Sequence, residues 1–155
     1  MEGRGAEEVE AILVKARERG IPMLVTNPDF LRPGTNDPMP GLIGKTYKAR
    51  GGRVEVVGKP YDLVYDKCFS ILQMDPSQED KSSVCAVGDS LSHDIQGAVN
   101  SGLSSVFIAS GVHYEELGVE QGSPEMPDPS LFPPLFASHL EGGEAPTHST
   151  PSFRW

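Results

Sequence analysis

Two aspartates in the segment GDSLSHDIQGA, residues 88–98, have the spacing to hold a hard cation. Asp89 directly follows an apolar stretch, and Asp94 lies in the first turns of a helical pattern. If the apolar stretch is a strand, Asp89 lies at the carboxyl edge of a sheet, where open α/β sheets bind ligands. Mg²⁺ takes oxygen ligands and is commonly bound by one or two carboxylates. A purely structural interpretation stays open, because Asp89 or Ser90 could simply cap the following helix.

A lysine occupies a similar position earlier in the chain. Lys59 lies within Gly58-Lys59-Pro60, after a short apolar stretch and before a helical pattern. A lysine held there could neutralise a phosphate or an acidic group as a point charge. For an isolated lysine, a solvated surface position is the simpler interpretation. The order of motifs favours the functional one: strand, Gly-Lys-Pro, helix, strand, Gly-Asp and then a second aspartate.

Strands that alternate with helices position these motifs. Apolar periodicity predicts helices at 6–19, 42–50, 61–74 and 92–101, and strands at 21–25, 54–57, 83–87 and 105–109. This alternation predicts an α/β fold with a largely parallel sheet. The Pro/Gly-rich residues 30–44 predict a loop. Residues 119–155 predict a Pro/Ser-rich tail that is largely irregular, with one short helix near 131–140.

Composition argues against several classes of partner. The formal net charge is −9 and basic residues form no run, which argues against nucleic-acid binding. No apolar segment approaches the ~18 residues of a membrane span, and no targeting segment is visible, so we expect no membrane partner. Cys68 and Cys85 lie within apolar patterns and are expected to be buried free thiols. Such thiols suit a reducing compartment, either the cytoplasm or an organelle interior.

The ordered set of motifs resembles the haloacid-dehalogenase-type (HAD) hydrolases. VVGKPYDLVYD around Lys59 and VGDSLSHDIQGAVNSGL around Asp89 and Asp94 are similar to the third and fourth motifs of that family. LVTNPDF, residues 24–30, resembles the strand-end motif after the cap in the subgroup with a large cap between the second and third motifs. RPGTNDPMPG, residues 32–41, fits the Pro/Gly loop that follows.

The resemblance covers about residues 20–118 and implies a domain organisation. It implies a lead-in helix at 1–20, the C-terminal portion of a HAD-like core at 21–118, and the tail at 119–155. The fold implied is a partial Rossmann-like three-layer sandwich with a mostly parallel sheet. This partial core lacks the nucleophile strand and the cap.

The resemblance also implies a role for each matching residue. Lys59 would stabilise negative charge on the nucleophile and on the transferring phosphoryl group. Asp89 and Asp94 would form the Mg²⁺ site, with Asp89 as the ligand and Asp94 as the residue that orients it. The substrate cleft beneath the cap would be lined by Thr26, Asn27 and Asp29. The implied activity is hydrolysis of a small phosphorylated metabolite through an aspartyl-phosphate.

The sequence departs from the family pattern at the nucleophile. The family's nucleophile lies in a strand-ending Asp-x-Asp, and these 155 residues contain no Asp-x-Asp. Asp29 also follows a predicted strand, but Leu31 takes the place of the second acid. We therefore expect a truncated or inactive form of a phosphatase. Its isolated sheet should be marginal in stability, with a protein partner or self-association completing it.

Of two other functions, the first stays open and the second is disfavoured by the order of the residues. A non-catalytic binding or interaction module could retain a HAD-like metal or phosphate site. A receiver-type signalling domain also combines acids, Mg²⁺ and a lysine, but its acids precede its lysine, whereas here Lys59 precedes Asp89 and Asp94. Of the four histidines, His93 is expected on a helix surface. The others, His113, His139 and His148, match no metal-ligand spacing.

Overall fold

The computed structural model describes residues 5–32, 37–75, 77 and 81–153. The chain divides into two compact units, Met1–Gly58 and Lys59–Trp155. Within the described ranges, no helix has the length and apolar character needed to cross a bilayer.

The first unit contains two helices and a short parallel sheet. Its elements are α1 (Ala6–Glu18), β1 (Met23–Val25), α2 (Pro40–Ala49) and β2 (Val54–Val56). β1 and β2 pair in parallel, with Met23 opposite Val54 and Val25 opposite Val56. The predicted loop therefore ends at Met39, and a proline in the first turn of α2 suits the start of a helix. Residues 33–36 of that loop lie outside the described residues.

Close packing holds α2 against the small sheet. Tyr47 of α2 is buried, and its hydroxyl donates to the carbonyl oxygen of Ile21 at 2.7 Å. Gly44 faces Val25 so closely that a Cβ there would overlap the valine side chain. Leu13 of α1 is also buried in this unit. The small residues in PGLIGK thus allow the helix to approach the strands.

The second unit is built on a three-stranded parallel sheet. Its elements are α3 (Asp62–Leu72), β3 (Cys85–Gly88), a π-helical turn (Leu91–Ile95), α4 (Gln96–Asn100), β4 (Ser104–Ile108), α5 (Phe132–His139) and β5 (His148–Thr150). The strand order is β3-β4-β5, with Cys85 opposite Ser104 and Val106 opposite His148. The α/β architecture with parallel strands is therefore confirmed.

The core of the second unit forms around β4. Phe107 is fully buried, and its ring centroid lies 6.4 Å from that of Phe132 and 5.9 Å from that of Phe136. The buried cluster consists of Leu91, Ile95, Phe107, Ala109, Leu117, Phe132, Leu135 and Leu140. Side chains of α5 therefore cover the central strand.

The region after residue 118 is more ordered than an irregular tail. α5 matches the short helix expected near 131–140, and its two prolines lie in the first turn, where their missing N–H groups cost little. β5 was not predicted. Beyond its pairing with β4, the N–H of Ser110 donates to the carbonyl oxygen of Pro151 at 2.9 Å. These residues complete the outer side of the sheet.

The prediction that both cysteines are buried is wrong. Cys68 and Cys85 are free but exposed. α3 buries Tyr65 and Phe69, whereas Cys68 stays exposed. Cys85 occupies an exposed position in the alternating pattern of β3. An apolar neighbourhood in the sequence did not reveal which side of each element faces the core.

Candidate active site

An ion pair joins the predicted lysine to one of the predicted aspartates. Lys59 Nζ contacts Asp94 Oδ1. The other oxygen of Asp94, Oδ2, accepts the backbone N–H of Ser90 at 3.1 Å. The Asp94 side chain is only 12% exposed, whereas that of Lys59 is 51% exposed. Asp94 therefore fixes the ammonium group, and the lysine keeps an open side for a ligand.

The local backbone brings Asp94 to this position. We call residues 88–95, from the end of β3 through the π-helical turn, the acidic loop. The N–H groups of Asp94 and Ile95 both donate to the carbonyl oxygen of Ser90, at 2.8 and 3.2 Å. A Cβ at Gly88 would overlap the Asp94 carboxylate, so glycine is needed at this strand end. Single π-helical turns are frequent at functional sites.

Asp89 is held by the turn that follows β4. Its Oδ2 accepts the backbone N–H of Val112 at 3.0 Å. A Cβ at Gly111 would overlap the Asp89 side chain, so this glycine allows the turn to approach. Among the described residues, this hydrogen bond engages Oδ2 and leaves Oδ1 as the oxygen for a ligand.

The donor set fits a hard divalent cation such as Mg²⁺. Such a cation is bound by a small number of carboxylates and keeps several waters. Asp89 offers a carboxylate oxygen, while both oxygens of Asp94 already bind protein donors. Asp89 thus suits the role of metal ligand, and Asp94 suits the role of a positioning residue that holds Lys59.

Tyr65 supports the acidic loop from α3. Its hydroxyl donates to the carbonyl oxygen of Asp94 at 3.3 Å. Burial, followed by the nearby charge of Asp94 and a smaller effect of Cys68, raises the pKa of Tyr65 to about 12. The phenol therefore stays protonated and remains a hydrogen-bond donor near neutral pH. Gly97 makes room for it, since a Cβ there would overlap the phenol ring.

The other predicted site residues lie in the first unit, directly after β1. The side chain of Asn27 accepts the backbone N–H of Asp29 at 2.9 Å, and the carbonyl oxygen of Asp29 accepts the N–H of Gly41 at 3.0 Å. Gly58 approaches the carbonyl oxygen of Thr26 so closely that a Cβ would not fit. Thr26 is exposed, and Asn27 and Asp29 are half-buried. These residues form one tight turn at the strand end.

Sequence reasoning missed a group of three side chains in the second unit, which we call the His–Glu–His cluster: His113, Glu116 and His139. His113 Nδ1 lies 2.6 Å from Glu116 Oε1, and His139 Nε2 lies 3.0 Å from Glu116 Oε2. Burial acts to raise the pKa of Glu116, but the hydrogen bonds from both histidines, together with their electrostatic attraction, outweigh it and place that pKa below its ordinary value. The three-residue spacing of His113 and Glu116 was a weak signal, whereas nothing in the sequence pointed to His139.

Glu116→Gln is expected to destabilise the second unit near neutral pH and to lose this effect in acid. A carboxyl group with a lowered folded pKa contributes stability above its ordinary pKa of 4.5, and this is lost as the pH falls through the folded value. Because Glu116 is half exposed, we expect a difference of roughly 0.5–1 kcal/mol at pH 7. Urea unfolding at pH 7 and pH 3 measures it. Glu120→Gln, a change at an exposed neighbour, is the control, and an equal difference at both pH values would contradict the prediction.

Comparison with known families places the chain in one of them. The HAD-hydrolase-like family model matches residues 56–131, which include Lys59, Asp89 and Asp94. The 4-nitrophenylphosphatase of Schizosaccharomyces pombe is 33% identical over 109 residues, or 68% of this chain and 35% of that protein. The acid sugar phosphatase of Staphylococcus haemolyticus is 30% identical over 118 residues, or 74% of this chain and 43% of that protein.

Solved structures share the fold. The p-nitrophenyl phosphatase from Archaeoglobus fulgidus superposes with a TM-score of 0.68 at 23% identity, over 98% of this chain and 51% of that one. A haloacid-dehalogenase-like hydrolase from Brucella suis 1330 gives 0.62 at 24% identity, over 99% and 52%. The chain belongs to the HAD-like hydrolases. Its named relatives are phosphatases, and the chain spans about half or less of their length.

Proposed function

We propose that this chain carries the lysine and the Mg²⁺-binding part of a phosphatase that hydrolyses a small phosphate ester. The nucleophilic aspartate of this phosphatase comes from a segment outside these 155 residues. The observation that supports the proposal most directly is the arrangement of the acidic loop. Asp94 holds the Lys59 ammonium, and Asp89 presents a carboxylate in the same loop.

Each residue has a distinct task in this proposal. Asp89 binds Mg²⁺, which when bound supplies positive charge to the phosphoryl oxygens. Lys59 neutralises the charge of the phosphoryl group and of the acidic nucleophile. Asp94 keeps Lys59 in place. These side chains position and stabilise, but none of them receives the phosphoryl group. The external aspartate takes it as the ester P–O bond breaks and the alcohol leaves, and water then hydrolyses the aspartyl-phosphate to give inorganic phosphate and the free aspartate.

The names of the relatives support a proposal for the substrate class. One matched relative is named 4-nitrophenylphosphatase and another acid sugar phosphatase. We propose a small phosphorylated metabolite for this chain, with Thr26, Asn27 and Asp29 lining its cleft. A non-catalytic module that binds metal or phosphate is the second candidate, and the absence of Asp-x-Asp from the sequence is what favours it.

Asp89→Asn is expected to abolish Mg²⁺ binding, because it removes the anionic ligand while keeping the side-chain size. In an NMR titration with Mg²⁺, the amide signal of Val112 reports on Asp89, since the two are hydrogen-bonded. Asp66→Asn is the matched control, since Asp66 is an exposed acid on α3. Binding that survives Asp89→Asn, or disappears equally in the control, would contradict the assignment of the metal site.

A second measurement tests whether this chain lacks the nucleophile. We expect no Mg²⁺-dependent hydrolysis of 4-nitrophenyl phosphate by the 155 residues alone. Activity that Asp89→Asn removes would show that a nucleophile is present in this chain after all. The intact mass of the protein in its own cells then decides between the candidates. A longer species with an upstream Asp-x-Asp supports the phosphatase, and a species of this length supports the binding module.

A further inference from the structure

The backbone N–H of Leu91 requires an acceptor. Leu91 is fully buried and opens the π-helical turn, and the first N–H groups of a helix have no acceptor within it. A buried N–H without a partner costs about 1–3 kcal/mol. The preceding N–H, of Ser90, donates to Asp94 Oδ2, and the N–H of Leu91 donates to Nε2 of His113 at 3.3 Å. The side chains of Asp94 and His113 thus accept the N–H groups of Ser90 and Leu91 at the start of the π-helical turn.

This bond determines the tautomer of His113. A nitrogen that accepts a hydrogen bond carries a lone pair, so the proton of the neutral ring lies on Nδ1. Nδ1 lies 2.6 Å from Glu116 Oε1, and Glu116 is ionised near neutral pH because its pKa is low. The remaining oxygen of Glu116 accepts from His139 of α5. The cluster therefore forms one chain of hydrogen bonds from α5 to the acidic loop.

We infer that His113 is a positioning residue for the acidic loop, and that Glu116 and His139 hold it in the tautomer that this role requires. The turn after β4 contacts the loop at two adjacent residues. Val112 donates to Asp89, and His113 accepts from Leu91. Loss of the ring therefore removes one of the two bonds described between this turn and the loop, beside the proposed metal ligand. The effect of His113 on the metal site rests on the proposed function. Its hydrogen bond to Leu91 and its ring tautomer do not depend on that function.

A transition-metal site is the competing interpretation of the same cluster. One ligand atom from each of the three side chains lies within 4.8 Å of the others. Coordination through Nδ1, however, would leave the single ring proton on Nε2, where it would face the N–H of Leu91. Two donors would then point at each other in a buried place. The hydrogen-bond arrangement thus favours a positioning chain over a metal centre.

The first test is the protonation of the His113 ring. Long-range ¹H–¹⁵N correlation spectra of the whole chain at neutral pH distinguish a protonated ring nitrogen from one with a lone pair. We expect a proton on Nδ1 and a lone pair on Nε2, with no change on addition of equimolar Zn²⁺. A proton on Nε2, or Zn²⁺ bound in place of the Nδ1 proton, would overturn the inference.

The second test compares two substitutions of His113. His113→Gln keeps an acceptor oxygen near the position of Nε2, whereas His113→Leu has none. We expect His113→Leu to lose the exchange protection of the Leu91 amide and to weaken Mg²⁺ binding about ten-fold, as loss of supporting residues at metal sites typically does. His113→Gln should recover much of both. Equal behaviour of the two variants at the Leu91 amide would contradict the inference.

The two readouts also separate this inference from the proposed function. If the unsubstituted chain does not bind Mg²⁺, the proposed metal site fails. Protection of the Leu91 amide and the ring tautomer still decide the role of His113. Urea unfolding of both variants checks that they remain folded at the temperature of the exchange measurement.

Discussion

Phe107→Ala is expected to lower the free energy of unfolding of the second unit by about 3–5 kcal/mol, the usual cost of removing a buried phenylalanine. Phe107 is fully buried in the central strand of its sheet, and its ring packs against those of His113, Phe132 and Phe136. His113 lies in the turn after β4 and both phenylalanines lie in α5, so these neighbours are held by their own elements and cannot all move in to fill the cavity. A typical domain has only about 5–15 kcal/mol of stability, so the loss is a large part of the total.

Urea unfolding followed by far-UV circular dichroism measures this effect. Phe153→Ala is the matched control, since that side chain is 51% exposed. Its substitution should change the free energy by less than about 1 kcal/mol. Similar losses in the two variants would show that the core does not form around β4.

Asp94→Ala is expected to cost about 2–3 kcal/mol, mainly because it leaves the N–H of Ser90 without its acceptor. The ion pair adds less, because Lys59 is half exposed and water screens it. Lys59→Met should therefore cost less than Asp94→Ala, although it leaves one carboxylate oxygen unpaired. Asp94→Ala has the larger expected cost because Asp94 is the buried partner of the ion pair and Lys59 is the exposed one.

Urea unfolding of both variants, with hydrogen exchange at the Ser90 amide, tests this order. Asp94→Ala should remove the protection of that amide, and Lys59→Met should preserve it. Asp66→Ala, a change at an exposed acid of α3, controls for the loss of a negative charge. A larger cost for Lys59→Met than for Asp94→Ala would mean that the ion pair, and not the backbone bond, dominates.

The alternation of strands and helices was predictable because it depends on short-range apolar periodicity. Which face of each element becomes buried was less predictable. α3 has two candidate faces, and the structure buries Tyr65 and Phe69 while Leu63 and Ile71 are exposed. β5 could not be predicted, since His148, Ser149 and Thr150 form no apolar alternation. Its formation depends on pairing with β4, a contact distant in sequence.

The residues of the candidate site that belong to sequence motifs were predictable. The order of Lys59, Asp89 and Asp94 indicated a shared site, and the structure pairs the first with the last. The supporting contacts were not predictable. The N–H of Val112 that binds Asp89 is a backbone group, and every residue type except proline has one. His113 accepts a hydrogen bond from a backbone N–H. A contact of this kind has no recognisable residue spacing in the sequence.

The position of β5 has a consequence for biosynthesis. Of the strands described in the second unit, β5 is the last to be translated, and it lies beside β4, which the ribosome makes much earlier. Until residues 132–150 have emerged, β4 lacks one neighbouring strand, and Phe107 lacks the aromatic rings of α5. A nascent chain at this stage exposes apolar surface and an unpaired strand edge, both of which promote aggregation and chaperone binding. The second unit therefore completes its folding only after its C-terminal segment has left the ribosome.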